Sequence, residues 1–186
     1  MEIRAIRLPD IDRLIDIDAT IESAKYLHVD LAGEGLDVSF KVSERPLREP
    51  RNDRNLASDE LNFSMKQVVS GIEDGVALLV EHDRINVATL LATVDLTYNV
   101  MRLVDVRVDF EHRREGLASG MMYQLIGAAH SRELRAIAAE TRTDNQPAAG
   151  LLRKCAFEIA GIDTRRHTNH DLVKETATLL WYASLD

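Results

Sequence analysis

The chain has 186 residues, a length typical of one domain, and we expect residues 1–186 to fold as a single domain around one core. Hydrophobic residues make up 45% and charged residues 29% of the sequence, which excludes a disordered or collagen-like chain. Its 31 acidic and 23 basic residues give a formal net charge of -8 at pH 7. Binding to nucleic acid needs a basic face, so this acidity predicts no nucleic-acid partner and suits a cationic small molecule better.

Cysteine usage and hydropathy bear on the compartment. A single cysteine, Cys155, excludes an intramolecular disulfide, and we expect it to pack as a small hydrophobic residue. The first residues, Met1-Glu2-Ile3-Arg4, lack the apolar core of a signal peptide. No apolar run approaches the ~20 residues that span a bilayer. We therefore expect a cytoplasmic protein with no membrane partner.

The first part of the chain predicts a strand, a helix and a loop. Residues Glu2 to Leu8 have a strand pattern, and Pro9 and Asp10 begin a helix. Four side chains of that helix fall on one face: Ile11, Leu14, Ile15 and Ile17. From Ser43 to Ala57 we expect a solvated loop, because two prolines interrupt any helix or strand and arginines alternate with acidic residues. The mixed charge favours an ordinary surface connection over part of a substrate rim.

The middle of the chain predicts a helix and then an antiparallel meander. Ser58 caps a helix with the apolar stripe Leu61, Met65, Val68, Val69 and Ile72. Strands follow at Val76–Glu81 and Ile85–Leu96, joined by a turn at residues 82–84. A third strand, Leu103–Asp109, alternates three valines on one face (Val104, Val106, Val108) with charged residues on the other.

The last part of the chain predicts β-α-β-α order, which requires parallel neighbouring strands. A helix from Leu117 to about Arg132, a strand from Arg135 to Thr141 and a helix from Gln146 to Lys154 precede a final strand from Ala177 to Leu185. The Met121-Met122 pair on the first of these helices indicates core filling. The predicted fold class is α/β (α+β), a mixed sheet of about seven strands with helices on both faces.

The turn between the third meander strand and the next helix is the strongest candidate for a binding site. The unpaired N–H groups and the dipole of a helix N-terminus favour an anion, and Gly116 allows a phosphate to approach closely. Ala118, Ser119 and Gly120 keep the first helical turn small, while Arg113 and Arg114 can offset negative charge. The spacing alone leaves two readings equally open, a pyrophosphate site and a plain strand-to-helix turn.

These residues carry a resemblance. Arg113-x-x-Gly116-x-Ala118 matches the Q/R-x-x-G-x-G/A signature of the GNAT superfamily of N-acetyltransferases, and the similarity extends over roughly residues 76–184. Glu140-Thr141-Arg142-Thr143-Asp144-Asn145, the segment from Lys154 to Asp163 and Trp181-Tyr182 most resemble the streptothricin acetyltransferase branch.

The resemblance implies acetyl transfer from acetyl-CoA, the cosubstrate, to a primary amine by direct attack in a ternary complex, with no metal. It places the acyl and pantetheine part of acetyl-CoA along Val106, Arg107 and Val108. The implied contacts of the pyrophosphate and of the following helix are Arg113, Arg114, Glu115, Gly116, Leu117, Ala118, Ser119, Asn145 and Leu152. From the sequence alone, Asn145 before Pro147 indicates a helix cap equally well.

Asp105 is the candidate catalytic residue, as base or as anchor for the substrate ammonium. Three positions depart from the family. Val104 replaces a second acidic residue common in the branch, Leu152 replaces the tyrosine that protonates the departing thiolate in many members, and Ala156 replaces a glycine.

Because of these departures, three functions are weighed. The preferred acceptor is a cationic small-molecule amine, with a streptothricin-like antibiotic as one candidate. The alternatives are acetylation of a protein N-terminus or lysine, and a non-catalytic CoA-binding regulatory module. His167 and His170 lack further metal ligands nearby, so we expect a solvated loop there. The sequence leaves open whether the protein forms a homodimer.

Overall fold

The computed structural model describes residues 2–14 and 17–185. Its helices and strands follow in chain order: β1 (Glu2–Ala5), α1 (Leu8–Ile11), β2 (Ile21–Glu34), β3 (Asp37–Asp53), α2 (Asp59–Val69), β4 (Gly75–His82), β5 (Ile85–Asp95), β6 (Val100–Val108), α3 (Leu117–His130), β7 (Ala136–Arg142), α4 (Gln146–Lys154), β8 (Glu158–Asp163) and β9 (Thr178–Ser184).

Seven strands form one mixed sheet in the order β1-β4-β5-β6-β7-β9-β8. The pairs from β1 to β6 are antiparallel, β6 and β7 are parallel, and β9 is antiparallel to both of its neighbours. This arrangement confirms the predicted fold class, including the meander and the β-α-β crossover through α3. None of the helices in the described part of the chain is long and apolar enough to cross a membrane.

Helices cover both faces of the sheet, as predicted. On one face, the fully buried side chains of Met121, Met122 and Leu125 on α3 pack in one cluster with Leu152 of α4 and buried Cys155. On the other face, Ile11 of α1 and Met65 of α2 pack against strand residues, including Leu79 and Leu91. The apolar stripes of short amphipathic helices are thereby removed from water on both sides.

The largest difference from the sequence prediction is a long hairpin formed by β2 and β3. The expected loop at Ser43–Ala57 is wrong, because most of it belongs to β3. Pro46 and Pro50 are tolerated because β3 has a single partner strand, and residues 47–50 lie at an irregularity where Ser23 pairs with Arg51 but Lys25 pairs with Pro46. The β2 strand itself was not predicted.

The hairpin is fastened to the sheet on its apolar side. Leu27 and Val29 are buried in the core cluster, and the Leu27 N–H donates to the Thr143 carbonyl at 3.0 Å. On β3, Arg48 forms an ion pair with Glu175 at 3.3 Å. These contacts place β2 next to the loop that follows β7, at Thr143, and β3 next to the segment that precedes β9, at Glu175.

Three smaller predictions about element bounds are corrected. The first strand ends at Ala5, and Leu8 begins α1. That helix is shorter than expected, although Ile11, Leu14 and Ile17 are buried, and Ile15 lies outside the described residues. Ile72 does not continue the stripe of α2, because the helix ends at Val69 and Ile72 is exposed.

Helix α4 ends in a left-handed residue where the resemblance expects glycine. Ala156 has φ +63°, and the N–H groups of Ala156 and Phe157 donate to the carbonyls of Arg153 and Leu152. This hydrogen-bond pattern is the Schellman C-cap, in which glycine is preferred because a Cβ atom strains the left-handed conformation.

We expect Ala156→Gly to raise the free energy of unfolding by about 0.5–1 kcal/mol, because relief of this strain outweighs the added flexibility of the unfolded chain. Urea denaturation measures the change. The control is Ala128→Gly inside α3, which should lower stability because that residue is helical. An Ala156→Gly protein less stable than wild type would contradict the strain argument.

Candidate active site

The site begins where β6 and β7 separate. The two strands pair only through Val100–Arg102 and Ala136–Ala138, and no pairing between them continues beyond these residues in the described chain. A cavity of about 200 Å³ lies at the separation. It is lined by Ile21, Arg51, Asn55, Leu103, Val104, Asp105, Val106, Ala139, Glu140, Thr141, Arg142, Asn145, Ala148, Leu151 and Leu152.

A bulge in β6 sets which main-chain groups face this opening. On β5, Leu91 pairs with Asp105 and Ala92 pairs with Leu103, so Val104 is the extra residue. The expected strict alternation over Leu103–Asp109 is therefore broken at Val104.

The polar groups of β6 change edges across this bulge. Before it, the Asn99 carbonyl accepts from the N–H of Arg135, toward β7, at 3.0 Å. After it, the Asp109 N–H donates to the Val87 carbonyl on β5 at 2.8 Å. Because main-chain groups alternate between the two edges of a strand, Val106 and Val108 direct theirs toward the β7 side. An extended ligand can pair with this edge.

The turn after β6 presents the N-terminus of α3. The Asp109 carboxylate caps a short 3-10 segment, Phe110–His112, and Gly116 has φ +86°. A Cβ atom at Gly116 would meet nothing within 4 Å, so the space beside it is open. The first N–H groups of α3 lack partners within the helix, so the turn can hold an anion.

The two arginines of this turn have different surroundings. The Arg113 guanidinium lies over the Phe110 ring at 4.9 Å and donates to the carbonyls of Val108 at 3.3 Å and Thr20 at 2.5 Å. The Arg113 side chain therefore connects the end of β6 to the residue that precedes β2. Arg114 and Glu115 are exposed.

Helix α4 borders the same cavity. The Asn145 side chain accepts from the Ala148 N–H at 3.3 Å, so it serves as the helix cap that the sequence allowed. Leu152 lies about two turns further on, is 2% exposed and lines the cavity with Asn145. The predicted common face of these two residues is confirmed.

Asp105 lies in the cavity wall with one carboxylate oxygen held. The Arg107 Nε donates to Asp105 Oδ2 at 2.8 Å, and the side chains are 9% and 18% exposed, respectively. Burial raises the pKa of the Asp105 carboxyl, and the Arg107 charge opposes part of that rise. A carboxylate with a raised pKa is a stronger base than an exposed aspartate.

Arg51 and Asn55 are among the residues of the cavity wall that were not predicted from the sequence. Both lie in the segment expected to be an ordinary surface connection, and the structure brings them to the cavity instead. Arg51 donates to Asp144 at 3.1 Å and to Asp53 at 2.8 Å, while Arg142 donates to Asp144 at 2.5 Å. The alternating charges of the segment were a signal of such pairing, but Asp144 lies 93 residues from Arg51 in the chain.

The fold and site define an acyl-CoA-dependent transferase class, and the family is shown directly. Residues 42–157 match the family model described as the acetyltransferase (GNAT) family. The chain belongs to this family. The match confirms the superfamily resemblance found in the sequence.

Individual relatives point to the same branch. Over 87 residues the chain is 32% identical to streptothricin acetyltransferase from Escherichia coli, a match that spans 46% of this chain and 50% of that protein. The aligned part is thus half the length of this curated relative. This similarity supports the streptothricin acetyltransferase branch.

Solved structures share the fold over the whole chain. Nourseothricin acetyltransferase has a TM-score of 0.77 at 18% identity, covering 100% of this chain and 98% of that one. A Bacillus anthracis protein described as a streptothricin acetyltransferase, in complex with acetyl coenzyme A, has a TM-score of 0.77 at 17% identity over 100% and 97%. The ribosomal-protein-S18-alanine N-acetyltransferase from Escherichia coli has a TM-score of 0.62 at 16% identity over 100% and 94%.

We expect Gly116→Glu to weaken acetyl-CoA binding at least tenfold, about 1.4 kcal/mol, because a carboxylate would occupy the open space at the anion-binding turn. Calorimetric titration with acetyl-CoA measures the loss. Gly71→Glu is the matched control, since Gly71 is also left-handed (φ +71°) with nothing within 4 Å of its Cβ position. Equal affinity of the Gly116→Glu protein and wild type would remove the turn as the binding site.

Proposed function

We propose that this protein transfers the acetyl group of acetyl-CoA to a primary amine of a cationic small molecule, with a streptothricin-like antibiotic as the leading candidate. One observation carries the proposal. The free edge of β6 and the Asp105 carboxylate border one opening between β6 and β7, and the turn at Gly116 follows the end of β6. We further propose that the whole chain, residues 1–186, is one N-acetyltransferase domain.

The cofactor contacts follow from the main chain. The N–H and C=O groups of Val106 and the N–H of Val108 would pair with the pantetheine arm as an added strand, while the Val108 carbonyl accepts from Arg113. The N–H groups around Gly116, Leu117, Ala118 and Ser119 would hold the pyrophosphate, with exposed Arg114 nearby. Asn145 and Leu152 would border the arm from α4.

The reaction joins the substrate amine to the acetyl group of the thioester, with Asp105 as the base. A substrate ammonium gives a proton to Asp105, and the freed lone pair attacks the acetyl carbonyl carbon. The C–N bond forms as the C–S bond breaks, and the second proton lost by the nitrogen passes through water to the departing CoA thiolate. The second oxygen of Asp105, Oδ1, has no hydrogen-bond partner among the described residues, which leaves it available to the ammonium.

The size of the site favours a small acceptor. A cavity of about 200 Å³ accommodates the thioester end of the cofactor and an amine head group, and Arg51 of the hairpin and Asn55, just after it, form part of its wall. Acetylation of a protein N-terminus or lysine would need an open groove. A binding module without turnover is the other alternative, because Leu152 offers no acid.

We expect Asp105→Asn to lower kcat/KM for the amine by about 10² or more while leaving the acetyl-CoA dissociation constant unchanged. Wild-type kcat/KM should fall toward acidic pH as Asp105 is protonated, at a higher pH than an ordinary aspartate would give, because burial raises the pKa of Asp105. Release of free thiol with a panel of amines, including streptothricin, measures kcat/KM and its pH dependence, and calorimetric titration measures the acetyl-CoA dissociation constant.

The control for that variant is Asp95→Asn, which breaks an aspartate–arginine pair with Arg102 that does not line the cavity. It should retain the wild-type rate and pH profile. Equal rates for Asp105→Asn and wild type would demote Asp105 to a structural charge.

We expect Leu152→Tyr to raise kcat about tenfold, because a hydroxyl at this cavity-lining position could protonate the departing thiolate. Leu151→Tyr is the control, since Leu151 lines the same cavity one position away on the helix. Steady-state thiol release reports the change. No thiol release from wild type on any amine, and no gain in Leu152→Tyr, would favour the binding module.

A further inference from the structure

The Arg107 side chain has two partners that both line the cavity and come from different parts of the chain. Its Nε donates to Asp105 Oδ2 on its own strand at 2.8 Å, and its Nη1 donates to the main-chain carbonyl of Asn55 at 2.5 Å. Asn55 follows β3 and lies 52 residues away in the chain. One buried guanidinium therefore joins the carboxylate of the proposed base to the segment that follows the hairpin.

The chain of hydrogen bonds continues beyond Asn55. The Asn55 N–H donates to Asp53 Oδ1 at 2.9 Å, and Asp53 Oδ2 accepts from Arg51 at 2.8 Å. Arg51 then donates to Asp144, which also accepts from Arg142 on β7. We call this series, Asp105-Arg107-Asn55-Asp53-Arg51-Asp144-Arg142, the polar arch. It runs from β6 through the hairpin to β7, and so spans the two strands that separate at the cavity.

The conformation of Asn55 supports a specific rather than an accidental contact. Asn55 has φ +47°, a left-handed conformation that asparagine tolerates better than other non-glycine residues. With this conformation its carbonyl reaches Arg107 and its N–H reaches Asp53.

We propose that Arg107 is the positioning residue of the acceptor site, holding Asp105 and the cavity wall at Asn55 in a fixed relation. This role differs from the cofactor contact that the resemblance implied for Arg107, and it rests on the function proposed above, in which Asp105 receives the proton. A planar guanidinium suits this positioning role, because the guanidinium nitrogens donate in fixed, divergent directions. With one oxygen held, the carboxylate keeps Oδ1 for the amine.

The other charged groups of the cavity have partners of their own. Arg51 from β3 and Arg142 from β7 both bond to Asp144, and Glu140 of β7 pairs with Arg166 at 2.9 Å. Arg107 is the cation in direct contact with Asp105. Its removal should therefore raise the pKa of Asp105 further, since burial would remain and the opposing charge would be lost.

The kinetic test compares Arg107→Gln and Arg107→Lys with the control Arg102→Gln. Arg102 lies on the same strand as Arg107, but its ion pair with Asp95 of β5 is outside the cavity. In Arg107→Gln, the acidic limb of kcat/KM for the amine should move up by about one pH unit or more, while the acetyl-CoA dissociation constant stays constant. Arg107→Lys keeps the charge, so its limb should stay near that of wild type while KM for the amine rises several-fold. The Arg102→Gln profile should match wild type.

A double-mutant cycle separates positioning from general structural support. If Arg107 acts through Asp105, Arg107→Gln should have little further effect on kcat/KM in an Asp105→Asn background. An undiminished loss there, or superimposable pH profiles of Arg107→Gln and wild type, would overturn the proposal.

Carbon-13 NMR of the Asp105 carboxyl tests the same role without turnover, so its result stands even if the protein proves not to be an enzyme. The carboxyl should titrate at higher pH in Arg107→Gln than in wild type or Arg102→Gln. If Arg107→Gln does not fold, the comparison of wild type with Arg107→Lys remains, and a large shift of the Asp105 titration in Arg107→Lys would contradict the charge-based account. An unchanged titration in a folded Arg107→Gln protein would overturn it.

Discussion

The structure depends on the separation of β6 from β7. Each main-chain N–H and C=O group in a sheet needs a partner, and beyond Arg102 the edge of β6 that faces β7 has none from that strand. The bulge at Val104 changes which residues face this edge, so that both polar groups of Val106 and the N–H of Val108 are directed toward the β7 side, while the Val108 carbonyl accepts from Arg113. A bound molecule with amide groups, such as the pantetheine arm, would satisfy what the fold leaves open. The turn at Gly116, where we propose that the pyrophosphate binds, follows the same strand, so both parts of one ligand would lie in line.

The second feature that shapes the site is the β2–β3 hairpin, which forms part of the cavity wall where the amine is proposed to bind. Packing of Leu27 and Val29 secures β2 to the core, whereas β3 reaches the cavity through charged groups. Exposed ion pairs contribute little to stability, but Arg51, Asp144 and Arg107 are mostly buried, so the loss of one partner leaves an uncompensated charge. The polar arch is therefore suited to fix geometry more than to raise stability. Fixed geometry is what a reaction between an amine and a thioester requires.

Local patterns in the sequence predicted the sheet, the helices on both faces and the turn at Gly116, because alternation, helical periodicity and capping residues act over a few residues. The cap at Ser58 is confirmed, as is the burial of Cys155. The β3 strand was missed because prolines and alternating charges over Ser43–Ala57 are typical of a loop, and no strand was predicted over β2. In the folded chain, Arg51 pairs with Asp144 and Arg107 bonds to Asn55. These partners are 93 and 52 residues apart in the sequence, so no local pattern predicts the contacts. The roles of Asp105, the turn and α4 stay proposals.

Amide hydrogen exchange, followed residue by residue with and without acetyl-CoA, tests the central claim most directly. The account predicts that acetyl-CoA slows exchange at Val106, Val108 and the first residues of α3, because these N–H groups gain partners in the complex. The outer edge of β8, the last strand of the sheet, should be unaffected. Unchanged exchange along β6 in a protein saturated with acetyl-CoA, or protection confined to another part of the chain, would contradict the account.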